Sequence, residues 1–409
     1  MEVIHTRCAG LDVHQRTVVG CVRVTSGGQV SYQQRTFDTA TEGLEELRDW
    51  MRSLGCTHVA MEATGVYWKP VWHILEGHFE LTLANARRLR HVPGRKSDVS
   101  DSRWIADLLA CGLVAGSFVA PPAIQELRDL TRTRTQLKRE ISRHTQRIAK
   151  ILEDANVKLS SVVSQVVGGT GRKVLKALIA GETDGEKLGE LRHARIKASR
   201  QEFVAALRGH LSDHHRFLLG MHLEQIERLE GAVTDLEAQI AKRIQPFRHQ
   251  VELLSTIPGI KETAACAMLA EHGAQMGVFP SAAHLVSWTG ICPRQEESGS
   301  RKKSTRIRGG NKWLRTVLVQ AAWAATRAKR SAPSAQYYRL RARRGSQKAI
   351  IAVAASLLTC AYHVLLRDQP YQDALMTPEL SPQARSRVTH HLVNRLKKLG
   401  YQVQLKDAA

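Results

Sequence analysis

The chain has 409 residues, enough for two or three domains with cores of their own, and its 60 Lys and Arg against 38 Asp and Glu give a formal charge of +22. A field of that sign attracts polyanions, nucleic acid first and an anionic membrane second. Seven scattered cysteines without a C-x-x-C pair indicate neither a zinc site nor a disulfide framework, so the thiols read as reduced and the protein as cytosolic.

Residues 1–120 alternate strand and helix patterns. Strands are predicted over 10–14, 17–24, 29–37, 58–62 and 79–85, and helices over 42–54, 67–77 and 98–111. That order predicts an α/β domain, a mixed sheet with helices on its faces. Asp12 lies in the first strand and Glu62 ends the fourth. Asp98 and Asp101, three positions apart, share one helix face. Carboxylates gathered at one point repel one another unless cations sit between them, and hard oxygen ligands select Mg²⁺ or Mn²⁺. In so basic a chain the use for such a site is metal-assisted phosphoryl transfer on nucleic acid. Taken singly, each acid is more simply a strand end, a helix cap or a dipole partner; the ordered set points to function. His14 shares a strand face with Asp12, where it either touches the metal site or simply packs, and packing is the commoner outcome. Asp107, about 120° around the helix from Asp101, falls outside the set.

Residues 121–250 read as almost wholly helical, the all-α part of the chain. Leu127, Leu130, Leu137, Ile141, Ile148 and Ile151 follow heptad-like spacing, as do Ile226, Leu229, Val233, Leu236 and Ile240. Two such helices make an internal antiparallel hairpin or a dimer seam, and the pattern does not choose between them. The outer face of the first carries Arg132, Arg134, Lys138, Arg139, Arg143 and Arg147, with Arg139, Arg143 and Arg147 the candidate phosphate contacts. His214-His215 and His390-His391 read as solvated neighbours.

Residues 251–345 change character. Ile257-Pro258-Gly259-Ile260 between two helical runs has the pattern of a helix-hairpin-helix, in which Gly259 would turn backbone N–H groups toward a phosphate. Ser298 stands beside Gly299 among Arg301, Lys302, Lys303 and Arg306. Such cations can bind a phosphodiester and stabilise an alkoxide, although a serine in a solvated basic loop is the commoner reading of the bare residues. Residues 346–409 comprise a helix and a basic tail. The most apolar stretch, 349–366, carries Ser356, Thr359 and His363 and reads as a buried helix. No signal peptide and no apolar run of membrane-spanning length is expected.

Together these motifs resemble the DEDD-type insertion-sequence transposases of the IS one-ten and eleven-eleven group, the bridge-RNA-guided recombinases. Gly10-Leu11-Asp12-Val13-His14, Met61-Glu62-Ala63-Thr64-Gly65 with Tyr67-Trp68, and Lys96-Ser97-Asp98-Val99-Ser100-Asp101 are similar to the family's acid motifs. Ile257-Pro258-Gly259-Ile260, Phe279-Pro280-Ser281, Gly290-Ile291-Cys292-Pro293, Glu297-Ser298-Gly299 and Gly310-Asn311-Lys312-Trp313-Leu314-Arg315 follow in the family's order. The resemblance implies an RNase H-like (RuvC-like) N-terminal domain whose Asp12, Glu62, Asp98 and Asp101 bind divalent metal. It implies a C-terminal transposase domain with Ser298 as nucleophile. It further implies a dimer or tetramer with composite sites, and a structured non-coding bridge RNA that pairs with donor and target DNA.

Two other readings compete. A hydrolytic RuvC-like nuclease or Holliday-junction resolvase would need the acids alone, and a non-enzymatic nucleic-acid-binding protein would leave them without purpose.

Overall fold

The computed structural model describes residues 3–63, 65–84, 100–293, 296–298, 301–304, 306–328, 331–372 and scattered positions within 386–405. Two compact units emerge, Met1–Val119 and Ala120–Ala409.

In the first unit the elements follow the predicted order. They are β1 (Arg7–Val13), β2 (Thr17–Ser26), β3 (Gln29–Asp38), α1 (Thr41–Ser53), β4 (His58–Glu62), α2 (Trp68–Leu75), β5 (Glu80–Ala84) and α3 (Asp101–Ala110). The strands form one sheet in the order β3-β2-β1-β4-β5. β1, β2 and β3 run antiparallel, whereas β4 lies parallel to β1 and β5 parallel to β4.

The two faces of this sheet are built from different residue sizes, because alternate side chains of a strand point opposite ways. On one face Leu11, Val13, Val18, Val22, Val59 and Met61 join Leu44, Leu47 and Met51 of α1 and Val71, Trp72 and Leu75 of α2 in a single core. On the other, small residues (Cys8, Ala60, Ala84) meet Ile105, Leu108 and Leu109 of α3. Gly10 is the extreme case: a Cβ there would stand 2.1 Å from the Ser102 carbonyl oxygen and 2.5 Å from the Ala106 nitrogen. No side chain fits, so the backbone of α3 lies directly on β1. The Cys8 thiol donates to the Ala106 carbonyl at 3.5 Å, and burial pushes it up to about 12. Asp107 accepts from Arg23 Nε at 3.0 Å and from the Tyr32 hydroxyl at 2.7 Å. It therefore clamps α3 to β2 and β3.

The second unit begins with α4 (Pro122–Asp154) and continues through α5 (Leu159–Val162), α6 (Gly169–Ile179), α7 (Gly185–Glu190) and α8 (Arg200–Leu207) to α9 (Asp213–Arg243). α4 and α9 pair antiparallel along their length: Glu126 meets Arg243, Arg134 meets Glu237, His144 meets His222 and Asp154 meets His215. The heptad patterns thus close on each other within one chain. At one end Ile148, Leu152, Leu219, Leu223 and Ile226 form a local core with Leu175 of α6, Leu188 of α7 and Phe203 of α8. His215, expected to be solvated, instead bonds the backbone N–H and hydroxyl of Ser212 at the start of α9 and contacts Asp154.

Next come α10 (Arg248–Ser255), α11 (Glu262–His272), α12 (Ala282–Thr289), the hairpin β6 (Glu296–Ser298) and β7 (Arg301–Ser304), then α13 (Lys312–Ala325), α14 (Ala332–Arg344) and α15 (Ser346–Arg367). By length and composition α15 could cross a bilayer, contrary to the expectation that no run reaches that length. Half of its most apolar window is nevertheless buried, and it packs on α10, α12, α13 and α14 as a core helix.

Candidate functional site

The acids of the first unit are placed by register. Leu11 of β1 pairs with Met61 of β4, so Asp12 and Glu62 follow at the same end of two neighbouring parallel strands. Both fall on the face that α3 covers, by the alternation that puts Gly10 and Ala60 there. Asp101 opens α3 and adjoins Ser102, whose carbonyl rests against Gly10. The missing Cβ of Gly10 is therefore what lets the start of α3 approach the acidic strand ends. The donor set is carboxylate oxygen throughout, the chemistry that suits a hard divalent cation. Among the described residues no three His, Cys, Asp or Glu side chains stand close enough to hold a metal ion together, and Asp98 lies outside the described residues. Of the two readings the sequence left for His14, contact with the acids and packing, the structure shows contact with Asp12. His14 stands one residue past the end of β1; among the described residues its ring is exposed, and its Nε2 lies 3.1 Å from Asp12 Oδ2.

Ser298 is the last residue of β6. It pairs in register with Arg301, the first residue of β7, while Glu297 pairs with Lys302 and Glu296 with Ser304. The serine thus stands at the tip of a two-stranded hairpin with Arg301, Lys302 and Lys303 on the facing strand. Gly299 and the side chains of Ser298, Arg301, Lys302 and Lys303 lie outside the described residues. Arg306 follows the hairpin and is exposed. At the hairpin's base a Cβ on Gly310 would meet the Gly290 nitrogen at 2.6 Å, so this pair of motif glycines marks where two backbone segments touch.

Gly259 also has a structural explanation. It adopts φ +84°, and a Cβ would stand 2.2 Å from the Ala321 carbonyl oxygen of α13. Close packing of the turn on α13 accounts for the glycine without a bound phosphate.

Along α4 the basic side chains fall into two groups. Arg139, Arg143 and Arg147 are exposed at helical spacing on one face. Arg132 and Arg134, placed by periodicity on the same outer face, are instead paired: Arg134 with Glu237, and Arg132 with Glu271. Neutralising Arg139, Arg143 and Arg147 together is expected to weaken nucleic-acid binding. It should also flatten the plot of log affinity against log salt by up to about 0.9 per lost contact on duplex DNA. An unchanged slope in a salt titration would mark the face as plain solvated surface.

Glu271 was not legible from the sequence. Its side chain is only 3% exposed on α11 and receives both Arg132 bonds, Nε to Oε1 at 2.8 Å and Nη2 to Oε2 at 2.7 Å. Asn311, which caps α13 by accepting from the Trp313 and Leu314 N–H groups, donates to Glu271 Oε2 at 2.6 Å. Arg128 donates to the backbone carbonyls of Ala270 and Glu271. One buried carboxylate therefore ties α4, α11 and α13 together. Glu271→Ala is expected to destabilise the protein by about 3 kcal/mol in urea unfolding, the lower end for breaking a buried pair, since Arg132 is about a third exposed and can turn to water. Glu271→Gln keeps an acceptor for Asn311 and should lose less.

A mixed α/β unit carrying an acidic strand-end site, joined to a basic, mostly helical body, is the composition of a DEDD transposase. Residues 9–157 match the family model of the DEDD transposase of IS110, and residues 251–339 match the model described as transposase IS116/IS110/IS902 family. The chain is 23% identical over 379 residues to the pilin gene-inverting protein of Moraxella bovis, covering 88% of this chain and 96% of that protein. It is 25% identical over 335 residues to the IS900 insertion-element 42 kDa protein of Mycobacterium paratuberculosis, covering 73% of this chain and 81% of that one. The chain belongs to the IS110 family of transposases, enzymes that recombine DNA.

Proposed function

We propose that the protein cuts and rejoins DNA strands through a covalent phosphoserine on Ser298, using divalent metal held by Asp12, Glu62, Asp98 and Asp101. The observation that carries the acid half is the register of β1 and β4, which sets Asp12 and Glu62 at one sheet end beside the start of α3. The strand order and the helices on both sheet faces support an RNase H-like reading of this unit. A Mg²⁺ or Mn²⁺ ion, when bound, would neutralise the scissile phosphate and stabilise the leaving oxygen. The Ser298 hydroxyl attacks phosphorus and loses its proton. The bond from phosphorus to the leaving deoxyribose oxygen breaks, and that oxygen takes up a proton. Arg301, Lys302, Lys303 and Arg306, on or beside the same hairpin, supply positive potential for the phosphate and the developing charge. The phosphoserine conserves the phosphodiester's energy, so rejoining needs no ATP. Water in place of serine would release it and leave a nuclease.

Exposed Arg139, Arg143 and Arg147 would hold nucleic acid along α4. Sequence choice would come from a structured non-coding RNA paired with donor and target DNA, and the active form would be a dimer or tetramer. A test uses the full chain, its DNA substrate and Mg²⁺, with the products resolved under denaturing conditions. Protein-linked DNA ends are the expected result; free 5′-phosphate ends alone would favour the hydrolytic nuclease.

A further inference from the structure

A cavity of about 300 Å³ opens between α4, α11 and α13, lined by Trp313 and by four cations, Arg132, Arg134, Lys138 and Arg139, against the single carboxylate of Glu271. The Trp313 ring is half-buried at the first turn of α13. Arg139 Cζ stands 5.1 Å from its centroid, Arg132 Cζ 5.6 Å and Lys312 Nζ 5.8 Å. Arg132 is pinned there by Glu271, and Arg134 is answered by Glu237. Lys138, Arg139 and Lys312 are different: all are exposed, and among the described residues none makes an ion pair. Like charges gathered round one ring repel unless an anion joins them. Trp313 itself is held rigidly, since Asn311 caps its helix and is in turn fixed by Glu271.

We propose that this cavity binds one unpaired nucleotide of a single-stranded nucleic acid, DNA or RNA, with its base stacked on Trp313 and its phosphate on Lys138 and Arg139. The proposal rests on the reading of the chain as a nucleic-acid enzyme and adds a site to it. A free phosphate would have no use for the indole, and an acidic peptide would offer no flat face to it. Bases within a duplex are stacked on one another and cannot enter, whereas bases of an unpaired strand can be splayed onto an aromatic ring. The volume is at the lower limit of small-ligand sites, matched to one nucleotide rather than a stacked run. Strand exchange exposes unpaired nucleotides by its nature, which supplies an occupant.

The test compares the full chain with Trp313→Leu and Trp313→Phe. Binding of labelled oligodeoxythymidylate, oligouridylate and a blunt duplex is read by fluorescence anisotropy across a salt series. Trp313→Leu is expected to weaken single-strand binding about 5- to 150-fold with the salt slope unchanged, because stacking is not ionic. Duplex affinity should stay as it was, and Trp313→Phe should recover most of the loss. The larger loss among the two single strands identifies RNA or DNA as the occupant. Strands carrying 5-bromouracil, irradiated with the unaltered chain, should attach to the peptide containing Trp313. This second measurement stands even if Trp313→Leu folds poorly. Equal losses on single strand and duplex, no loss at all, or a photoadduct elsewhere on the chain would each overturn the site. Failure of the Ser298 adduct would leave these results untouched, so the two readings fall separately.

Discussion

Ser298→Ala is expected to eliminate recombination and every protein–DNA adduct while the fold and nucleic-acid binding persist. Only the serine oxygen can form the phosphoester, and the hairpin's cations stay in place when it is removed. For a nucleophile acting as a unit with its activators, deletion lowers turnover on the order of 10⁶-fold, which a gel assay reads as absence. Ser300 and Ser304 need their own alanine controls. Ser304 lies at the far end of the hairpin, opposite Glu296, whereas Ser298 stands at its tip opposite Arg301. Mass spectrometry of digested, stalled reactions should place the phosphonucleotide on the peptide Glu297-Ser298-Gly299. An adduct on Ser300 or Ser304, or recombination surviving the substitution, sinks the assignment.

Asp12→Asn and Glu62→Gln should each abolish strand cleavage with little change in DNA or RNA affinity. The amide keeps the shape of the side chain but removes a negative charge from the proposed metal site, while phosphate contacts come from Lys and Arg. Assays at limiting and saturating Mg²⁺ decide the matter: full activity in both variants under both conditions would remove the acids from catalysis. Mixing Asp12→Asn with Ser298→Ala protein adds a second reading. Partial recovery in the mixture is expected if acids and serine meet across subunits of an oligomer, and an inactive mixture at high concentration would argue that each chain supplies its own pair.

Much of this was legible in the sequence, for identifiable reasons. The βββαβαβα order followed from periodicity and turn residues because the first unit is built from short elements with clean alternation. Asp12 and Glu62 were recognisable because an acid at the end of an apolar run stands out. Their register across β1 and β4 was not, since it depends on which strands pair. Gly10 stood out in the sequence only as part of a motif; the Ser102 carbonyl lying against it explains why the position is empty. Arg132 was assigned to solvent because its partner, Glu271, is 139 residues away in the chain and shows locally as one acid ending the apolar run Ala270 and before. The signal was there, a charged residue in an otherwise buried helix, but it named no partner. His215 was misread, and His14 left open between two readings, for a similar reason: ring contacts at strand and helix ends depend on neighbours that spacing does not reveal.

The pairing of α4 with α9, helices of 33 and 31 residues, has a consequence for how the protein behaves on dilution. A seam roughly 50 Å long at the usual helical rise is closed within one chain, so no mass-action term governs it. The hairpin's own folding therefore adds no concentration dependence to melting, unlike a coiled coil shared between subunits, and any such dependence would come from assembly of copies. Any assembly of several copies must then draw on other surfaces, and can come apart and re-form while the long hairpin stays intact.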